Sequence, residues 1–322
     1  MGEQNPRRMA GAEMKQEYLD VVRLLVRAAP AIFAEPGYAL KGGTAINLFV
    51  RDLPRLSVDL DLVFTDYRLD RADSLSAIST AVGNMASRVK KLGLQVHIPS
   101  RTDGEEAKLF IRQGRIEVKV EINQVLRGTI HPVVLTRMVP AARDQLKADL
   151  RLPLLATEEL YGGKLVAALD RNHPRDWFDV MLLLKNEGIT PSIRRCFVAY
   201  LAAHNRPPHE VLFGPAKSLA ESFDREFFGM TSQEVSLTEL EEVQRVVRDE
   251  LPKQLDEAER RFLVSLVSNV PDWSLLGIPH LQDMSAIRWK LANLERLQRE
   301  NKLKFAEQAA ALRDRLGLSE EA

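Results

Sequence analysis

Cysteine is nearly absent from this sequence, and that absence limits the chemistry open to the chain. Cys196 is the only cysteine among the 322 residues. A disulfide within the chain is therefore excluded, and so is a zinc site built from several thiolates. This cysteine usage fits a reducing compartment, and we expect a cytoplasmic location.

Net charge and long apolar runs are absent as well. Lysine and arginine together number 45, and aspartate and glutamate also number 45, so the formal net charge is zero. This balance argues against a generally cationic coat for nucleic acid, although it leaves room for a local basic groove. No apolar run reaches the length of a membrane span, and Met1–Arg8 lacks the apolar core of a signal peptide. We expect no membrane association.

Two segments near the N-terminus carry the most informative pattern, and the first is Lys41–Phe49. It opens with a Gly-Gly pair and continues into residues that favour a short helix. Glycine lets a backbone approach a ligand closely, and the free N–H groups at a helix start attract phosphate. Gly42, Gly43 and Thr44 are therefore candidate nucleotide-binding residues. The alternative is that the glycine pair is only a turn.

The second segment, Arg55–Phe64, predicts a β-strand with two different faces. Its apolar face consists of Val58, Leu60 and Leu62. Ser57, Asp59 and Asp61 point to the opposite face, because successive side chains of a strand alternate. The two carboxylates then lie roughly 6–7 Å apart along the strand. Ser57 could contact a phosphate or be modified by a regulator.

Two carboxylates on an apolar strand repel each other unless a cation lies between them. Hard oxygen ligands favour Mg²⁺ over Zn²⁺, with Mn²⁺ as the alternative. Asp59 and Asp61 are therefore candidate metal ligands and catalytic residues. The competing interpretation is a solvated edge face. The combination with the glycine turn favours a nucleotide phosphate held beside a metal ion.

A glycine pair, a helix and then Asp-x-Asp on a strand resemble the signature of the DNA-polymerase-β-like nucleotidyltransferase superfamily. Within it, Lys41–Ala45 followed by Ser57-x-Asp59-x-Asp61 is similar to the AbiEii/AbiGii toxin family, which includes the MenT-type toxins. The resemblance extends over most of residues 38–300. It implies a third carboxylate on a strand beside the Asp-x-Asp strand.

The remaining N-terminal elements are predicted from apolar periodicity and turn residues. The expected elements are an amphipathic helix over 11–29 ended by Pro30, a helix over 70–91 ended by Gly93, a strand over 94–98, a hairpin of 107–112 with 116–122, and a β segment over 133–139. On the second hairpin strand, Glu121 is the candidate third carboxylate and Glu117 its rival. The alternative is that Glu121 is a cross-strand partner of a lysine.

A second group of polar residues follows about a hundred positions later. The sequence predicts a helix over 158–170, a break at Asn172-His173-Pro174, and a new helix that opens at Pro174. Lys164 and Arg171 lie seven residues apart, on one face of the first helix. Asp176 lies in the first turn of the second helix.

Arg175 and Asp179 share that second helix at positions i and i+4, so they could form an ordinary surface pair. The same segment also resembles a second part of the toxin family. A triphosphate needs cations to neutralise its leaving pyrophosphate, and Lys164 and Arg171 could supply them. An aspartate can hold the lysine or orient the nucleophile. We favour Asp176 for this role, because Asp179 could instead form an ion pair with Arg175.

The last third of the chain predicts helices with short breaks, including one long helix from Ala286 to about Leu316. Its basic residues could line a groove for an RNA backbone, with ordinary surface ion pairs as the alternative. The expected fold class is α/β (α+β). A nucleotidyltransferase-like catalytic domain over 1–150, with a mixed sheet flanked by helices, would precede a C-terminal helical domain over 151–322.

The function implied by the resemblance is a magnesium-dependent nucleotidyltransferase, the toxin of a toxin–antitoxin system. It would transfer a nucleoside monophosphate from a triphosphate, with CTP or GTP expected, to an RNA acceptor, with transfer RNA expected. Its implied partner is an antitoxin of the winged-helix repressor type encoded nearby. Two alternatives remain: transfer to a small molecule, as antibiotic-modifying relatives perform, and nucleotide binding by a regulator without turnover.

Overall fold

The computed structural model describes residues 9–10, 14–99 and 107–319. Contacts between Cα atoms divide the chain into two compact units. The first unit comprises residues 1–160 and 222–237, and the second comprises residues 161–221 and 238–322. The sequence-based boundary after residue 150 stays a prediction.

The first unit is built on a mixed β-sheet. Its strands are β2 (Tyr38–Lys41), β3 (Asp59–Phe64), β4 (Gln95–His97), β5 (Ala107–Gln113), β6 (Ile116–Asn123), β7 (Val134–Arg137) and β8 (Arg151–Leu154). They are arranged in the order β4-β5-β6-β3-β2-β8-β7. Strand β3 is central, because it pairs with β2 antiparallel and with β6 parallel. Leu60 and Leu62 of β3 are fully buried, as the alternation of its side chains predicts, but the predicted strand was too long, because Ser57 and the half-buried Val58 precede β3.

Helices flank this sheet. They are α1 (Gln16–Phe33), α2 (Gly42–Ala45), which continues as a π-helical turn over Ile46–Val50, α3 (Arg71–Lys91) and α4 (Pro140–Leu146). The side chain of Asp70 caps α3 by accepting a hydrogen bond from the Asp73 N–H, and Gly93 follows α3 with φ of 75°. The predicted hairpin of β5 and β6 is also present, with Gln113 paired to Ile116.

A later segment of the chain returns to the first unit. The short strand β9 (Val235–Ser236) pairs with β1 (Met9–Ala10). Just before β9, the Met230 carbonyl accepts a hydrogen bond from the Leu56 N–H at 2.7 Å, and Thr231 forms an isolated bridge with Arg55. The segment around Met230 therefore fixes the loop that leads into β3. Sequence reasoning missed this connection because the pairing partners lie far apart in the chain.

The second unit consists of helices. After α5 (Thr157–Arg171), which enters it at Tyr161, come α6 (Pro174–Asn186), α7 (Pro191–Ala203), α8 (Pro208–Leu212), α9 (Ala220–Ser222), α10 (Leu237–Gln254), α11 (Glu257–Val267), α12 (Ser285–Glu300) and α13 (Lys302–Leu316). Its largest fully buried side chains are Tyr161, Trp177, Phe178, Phe197 and Phe262. The predicted fold class, a mixed sheet flanked by helices with a helical C-terminal part, is confirmed.

The predicted break between α5 and α6 is present at Asn172, whose φ is 54°. The Asn172 side-chain oxygen accepts hydrogen bonds from Gln244 Nε2 at 2.7 Å and from an Arg248 terminal nitrogen at 2.8 Å. Both donors lie on α10. Helix α10 therefore holds the turn in place, which the local sequence around residue 172 does not reveal.

Two predicted helix limits are wrong. Pro30 does not end the first helix, since α1 continues to Phe33 with Ala29 and Ile32 fully buried. One proline near a helix end removes only one N–H, and apolar burial offsets that loss. The first helix was predicted over residues 11–29. Residues 11–13 lie outside the described residues, and α1 begins at Gln16.

The predicted long helix to Leu316 is interrupted at Asn301, where φ is −148° and ψ is 79°. The Asn301 side chain accepts a hydrogen bond from the Lys304 N–H at 3.0 Å, so it caps a new helix rather than continuing the old one. Strand β8 and helix α4 were not predicted. In the described ranges, no helix is long and apolar enough to span a membrane.

Candidate active site

Strand β3 places the two predicted carboxylates on its partly exposed face. Asp59 and Asp61 are both half-buried, whereas Leu60 between them is fully buried. Lys41 of β2 pairs with Asp61 in the strand register. The carboxylates thus stand on the central strand of the sheet, flanked by a paired strand on each side.

Glu121 lies directly beside Asp61, because β6 runs parallel to β3 with Asp61 opposite Glu121 and Asp59 opposite Lys119. The Glu121 carboxylate contacts Lys119 Nζ at 3.2 Å and Lys108 Nζ at 3.4 Å. Lys119 Nζ also lies 3.9 Å from Asp59 Oδ1. Glu121 therefore has both features considered from the sequence: it neighbours the acids, and lysines pair with it.

Carboxylates and lysines alternate on this face, which carries Asp59, Asp61, Glu121, Lys41, Lys108 and Lys119. Burial by itself lowers the pKa of Lys119, but Asp59, Glu121 and Asp61 outweigh that effect and raise it above its usual value. A protonated lysine is thus held by three carboxylates.

The glycine pair fits closely against the acids. Gly42 has φ of 75°, and a Cβ atom added there would lie 2.4 Å from Asp61 Oδ2. A Cβ atom on Gly43 would lie 2.7 Å from an Arg55 terminal nitrogen and 2.8 Å from Ser57 Oγ. Only glycine leaves room for this approach of the α2 backbone to the polar face of β3.

Thr44 and Asn47 fasten the same turn. The buried Thr44 hydroxyl donates to the main-chain carbonyl of Asp59, and Asn47 Nδ2 donates to the Gly43 carbonyl at 2.9 Å. The Thr44 hydroxyl proton is therefore used inside the protein. Of the groups Thr44 could offer a phosphate, its backbone N–H fits the predicted role better than its hydroxyl.

Arg55 is a candidate that sequence reasoning did not single out. Its side chain is buried, donates to the Leu56 carbonyl at 2.9 Å, and reaches the space beside Gly43 and Ser57. A buried guanidinium beside a glycine turn could neutralise a phosphate. The signal in the sequence was an arginine two residues before Ser57, in a loop that looked purely polar.

We predict that Gly42→Ala disables the site as well as weakening the fold. Alanine with positive φ costs about 1–2 kcal/mol, and its methyl group would also collide with the Asp61 carboxylate. Gly93→Ala is the matched control, because Gly93 has the same φ of 75° but nothing within 4 Å of its added Cβ.

Urea unfolding and transfer rates of the two glycine variants test this prediction. Gly93→Ala should show the backbone cost alone, with transfer unchanged. Gly42→Ala should lose additional stability and most of its transfer activity. Equal behaviour of the two variants would contradict a special role for the contact between Gly42 and Asp61.

The donor set on β3 fits a magnesium ion. Asp59 and Asp61 are oxygen donors with partial exposure, and they neighbour a third carboxylate, Glu121. Among the described residues, no group of three or more histidine, cysteine, aspartate or glutamate side chains is arranged to hold a metal. A metal ion bound by these two aspartates would take its other ligands from water and substrate phosphate.

The second predicted cluster lies in the second unit and is more deeply buried. Lys164 of α5 is 5% exposed, and its ammonium lies 3.0 Å from Asp176 Oδ1 and 2.9 Å from Asp179 Oδ2 on α6. Both aspartates are almost fully buried. Arg171, at the end of α5, contacts Asp176 at 3.0 Å from an exposed position. Two cations and two carboxylates thus form one balanced group.

The protonation of Asp176 follows from these neighbours. Burial raises the pKa of the Asp176 carboxyl, but Lys164 and Arg171 outweigh burial and hold the pKa below its usual value. Asp176 therefore stays ionised. An ionised aspartate paired with two cations fixes their positions.

The preference for Asp176 over Asp179 stays a prediction, to which the structure adds further contacts. Asp179 is bound to Lys164 as closely as Asp176 is. The Arg175 guanidinium contacts the ring of His173, and the Arg175 N–H donates to His173 Nδ1 at 3.1 Å. What distinguishes Asp176 is its additional contact with Arg171. The prediction that this cluster and the carboxylates of β3 act on one triphosphate stays a prediction.

Comparison with known proteins agrees with the fold. Residues 23–293 match the family model described as nucleotidyl transferase AbiEii toxin, type IV toxin–antitoxin system. The structure is similar to MenT4, a nucleotidyltransferase toxin from Mycobacterium tuberculosis H37Rv, with a TM-score of 0.58 and 19% sequence identity. The match covers 87% of this chain and 95% of that chain. Among curated proteins, none matches this chain.

Proposed function

The chain belongs to the AbiEii family of nucleotidyltransferase toxins of type IV toxin–antitoxin systems, and we propose that it transfers a nucleoside monophosphate from a triphosphate to an RNA acceptor. Transfer RNA is the proposed acceptor and Mg²⁺ the proposed metal. The observation that carries the proposal is the strand register, which puts the half-buried Asp59 and Asp61 of β3 beside Glu121 of β6, with the glycine turn packed against Asp61.

The reaction joins the acceptor to the α-phosphate. A hydroxyl oxygen of the acceptor forms a bond to the α-phosphorus, the bond from that phosphorus to the bridging oxygen breaks, and pyrophosphate leaves with the electron pair. The hydroxyl proton is released to solvent. Mg²⁺ bound by Asp59 and Asp61 would neutralise phosphate charge during this step.

The side chains of the first unit have separate tasks in this proposal. Gly42 and Gly43 let the α2 backbone approach the phosphates, and the Thr44 N–H donates to them. Arg55 and Ser57 lie beside Gly43, where they can contact a phosphate oxygen. Glu121 is proposed to stay ion-paired with the two lysines, which keeps the negative face ordered.

In the second unit, Lys164 and Arg171 are proposed to neutralise the leaving pyrophosphate. Asp176 positions both cations, and Asp179 positions Lys164. Arg175 is assigned a smaller part, since it contacts His173 at the start of α6. The proposed partner outside the reaction is an antitoxin of the winged-helix repressor type.

A labelling experiment tests the proposal. Total transfer RNA is incubated with the protein, magnesium and each of the four triphosphates labelled at the α-phosphate. We expect label in RNA with at least one triphosphate, abolished by a metal chelator. A labelled small acceptor with unlabelled RNA would favour the small-molecule reaction. Tight triphosphate binding without any labelled product would favour a regulator.

A further inference from the structure

The basic residues of the second unit fall into two groups. Most of the arginines predicted as a groove form pairs with nearby acids. These pairs are Arg206 with Asp170 and Glu210, Arg245 with Glu242 and Asp249, Arg261 with Glu257, Arg288 with Asp283, and Arg299 with Glu300. Such pairs are ordinary surface chemistry, as the sequence-based alternative expected.

Arg248 behaves differently from the paired arginines. Its half-buried guanidinium donates to the Leu169 carbonyl at 2.7 Å, to Asn172 Oδ1 at 2.8 Å and to the Gly214 carbonyl at 2.8 Å. Each of these acceptors is neutral. Over the described ranges, no carboxylate pairs with Arg248 and its buried Nε has no hydrogen-bond partner.

Burial alone lowers the pKa of the Arg248 guanidinium, because no neighbouring acid opposes the loss of hydration. Arginine nevertheless stays protonated in proteins. Arg248 is therefore a partly desolvated positive charge without a counter-charge. An anion beside it would be stabilised by that charge.

Arg248 lines a cleft of about 530 Å³ that is open to solvent. The floor includes the segment 213–216, and the charged lining residues are Arg245, Arg248, Arg315 and Asp249. Three arginines and one aspartate therefore line the cleft, and Arg245 is also paired with Glu242 at 2.6 Å, so Arg248 and Arg315 supply the positive charge that has no acid partner in the described part of the chain. The volume is that of a small-ligand site.

The two exposed arginines of this cleft, Arg245 and Arg315, can exchange their present contacts for contacts with a ligand. Arg245 is 61% exposed and pairs with Glu242 at 2.6 Å and with Asp249 at 3.3 Å, and exposed ion pairs of this kind contribute little in water. The Arg315 guanidinium lies 5.5 Å above the Phe213 ring and is itself exposed. This distance is that of a cation–π contact, and proteins that bind single-stranded nucleic acid use arginine and aromatic side chains of this kind.

We propose that this cleft binds a backbone phosphate of the RNA acceptor, held by Arg248 with Arg245 and Arg315 at the rim. The identification of the anion as RNA rests on the proposed function. The structure favours a polynucleotide over a free nucleotide because the cleft is open and its arginines come from two helices, α10 and α13. A phosphodiester chain can pass across such a rim, whereas a free nucleotide gains most from an enclosed base pocket.

The test measures RNA binding without any triphosphate. Fluorescence anisotropy of a labelled single-stranded RNA is recorded over a series of salt concentrations. The double variant Arg245→Gln/Arg315→Gln should bind about tenfold more weakly, and the salt slope should fall by about 0.7 for each phosphate that the variant no longer neutralises. These two side chains lie on the surface, so their removal should leave the thermal unfolding midpoint nearly unchanged.

The matched control removes the same charge elsewhere in the unit. Arg261 and Arg299 are exposed, form single ion pairs and do not line the cleft. Arg261→Gln/Arg299→Gln should bind RNA nearly as the unmodified protein does. Equal weakening in both double variants, or no weakening in the cleft variant, would overturn the proposal.

A competition arm separates RNA from a free nucleotide. Adenosine monophosphate binding is measured by calorimetry with the same variants. Loss of nucleotide binding with RNA binding retained would make the cleft a nucleotide site and overturn the inference. If the protein labels RNA in the transfer assay but the variant Arg245→Gln/Arg315→Gln binds RNA normally, only this inference is wrong. If RNA binding depends on the cleft but no label is transferred to RNA, only the proposed function is wrong.

Discussion

Replacing Lys164 by methionine is expected to abolish nucleotidyl transfer and destabilise the fold together. The Lys164 ammonium lies between the buried carboxylates of Asp176 and Asp179. Methionine keeps the length of the side chain but removes the charge, which leaves one buried carboxylate in excess. Breaking a buried ion pair from one side costs about 3–5 kcal/mol. Loss of a charge that acts on the leaving group lowers the rate by at least about a hundredfold.

A second substitution separates the two effects. In Lys164→Met/Asp179→Asn, the excess carboxylate is removed and the pair of Arg171 with Asp176 remains. Neutral groups of similar volume can replace a buried ion pair with little change in stability. We expect the double variant to recover most of the free energy of unfolding and none of the transfer activity.

The pH dependence of stability gives an independent readout. In the unmodified protein the pKa of Asp176 lies below its usual value, because Lys164 and Arg171 outweigh burial. The folded state then binds fewer protons than the unfolded state, so this contribution is present above the unfolded pKa and is lost as pH falls. Without Lys164, burial dominates and raises the pKa. The single variant should therefore become more stable on mild acidification, where the unmodified protein loses stability.

Urea denaturation between neutral and mildly acidic pH measures these changes, and α-labelled triphosphate measures transfer. Full activity in the double variant would remove Lys164 from the chemistry and leave it a structural role. Unchanged stability in the single variant would contradict the buried network itself.

The features predicted correctly from the sequence are those set by local physical rules. Alternating side chains placed Asp59 and Asp61 on one face of β3, because a strand has a period of two. A proline at the first position of α6 marked its start, and Gly93 marked the end of α3. Each of these inferences needs only a few neighbouring residues.

The features that sequence reasoning missed depend on distant partners. Met230 fixes the loop before β3, and α10 holds the turn at Asn172, yet neither partner is close in sequence. Arg55 gained significance only when the fold placed it beside Gly43. The apolar periodicity continues past Asn301 and predicts a helix there, whereas its side chain caps a new helix. Whether Asn301 caps a new helix or continues the preceding one depends on tertiary packing, and apolar periodicity carries no information about that packing.

Asp61→Asn is expected to remove transfer while leaving the protein folded. The substitution preserves the shape of the side chain and removes one of the two charges on β3 that are proposed to bind the metal ion. Loss of a metal contact withdraws several kcal/mol of charge stabilisation, and each 1.36 kcal/mol is a factor of ten in rate. The rate should fall by at least about a hundredfold. Asp61 is half-buried, so removal of its charge does not strand a partner in the core.

Metal binding distinguishes this explanation from a general disturbance of the strand. Binding of Mn²⁺, followed by electron paramagnetic resonance with triphosphate present, should weaken in Asp61→Asn and in Asp59→Asn. The control is Asp66→Asn, just beyond β3, where the carboxylate pairs with Arg68 at 3.3 Å on the surface. That variant should bind Mn²⁺ and transfer normally.

A further pair of variants tests whether the proposed metal ion is bound by two carboxylates or by three, with Glu121 as the third. If Glu121 acts only through its two lysines, Glu121→Gln should reduce the rate less than Asp61→Asn does and leave Mn²⁺ affinity unchanged. Glu117→Gln on the same strand is its control, since Glu117 pairs with Arg112 instead. A loss of Mn²⁺ affinity in Glu121→Gln equal to that in Asp61→Asn would make Glu121 a third ligand. Normal transfer by Asp61→Asn would contradict a metal-dependent reaction at β3, because Asp59 would then be the one proposed metal ligand left on that strand.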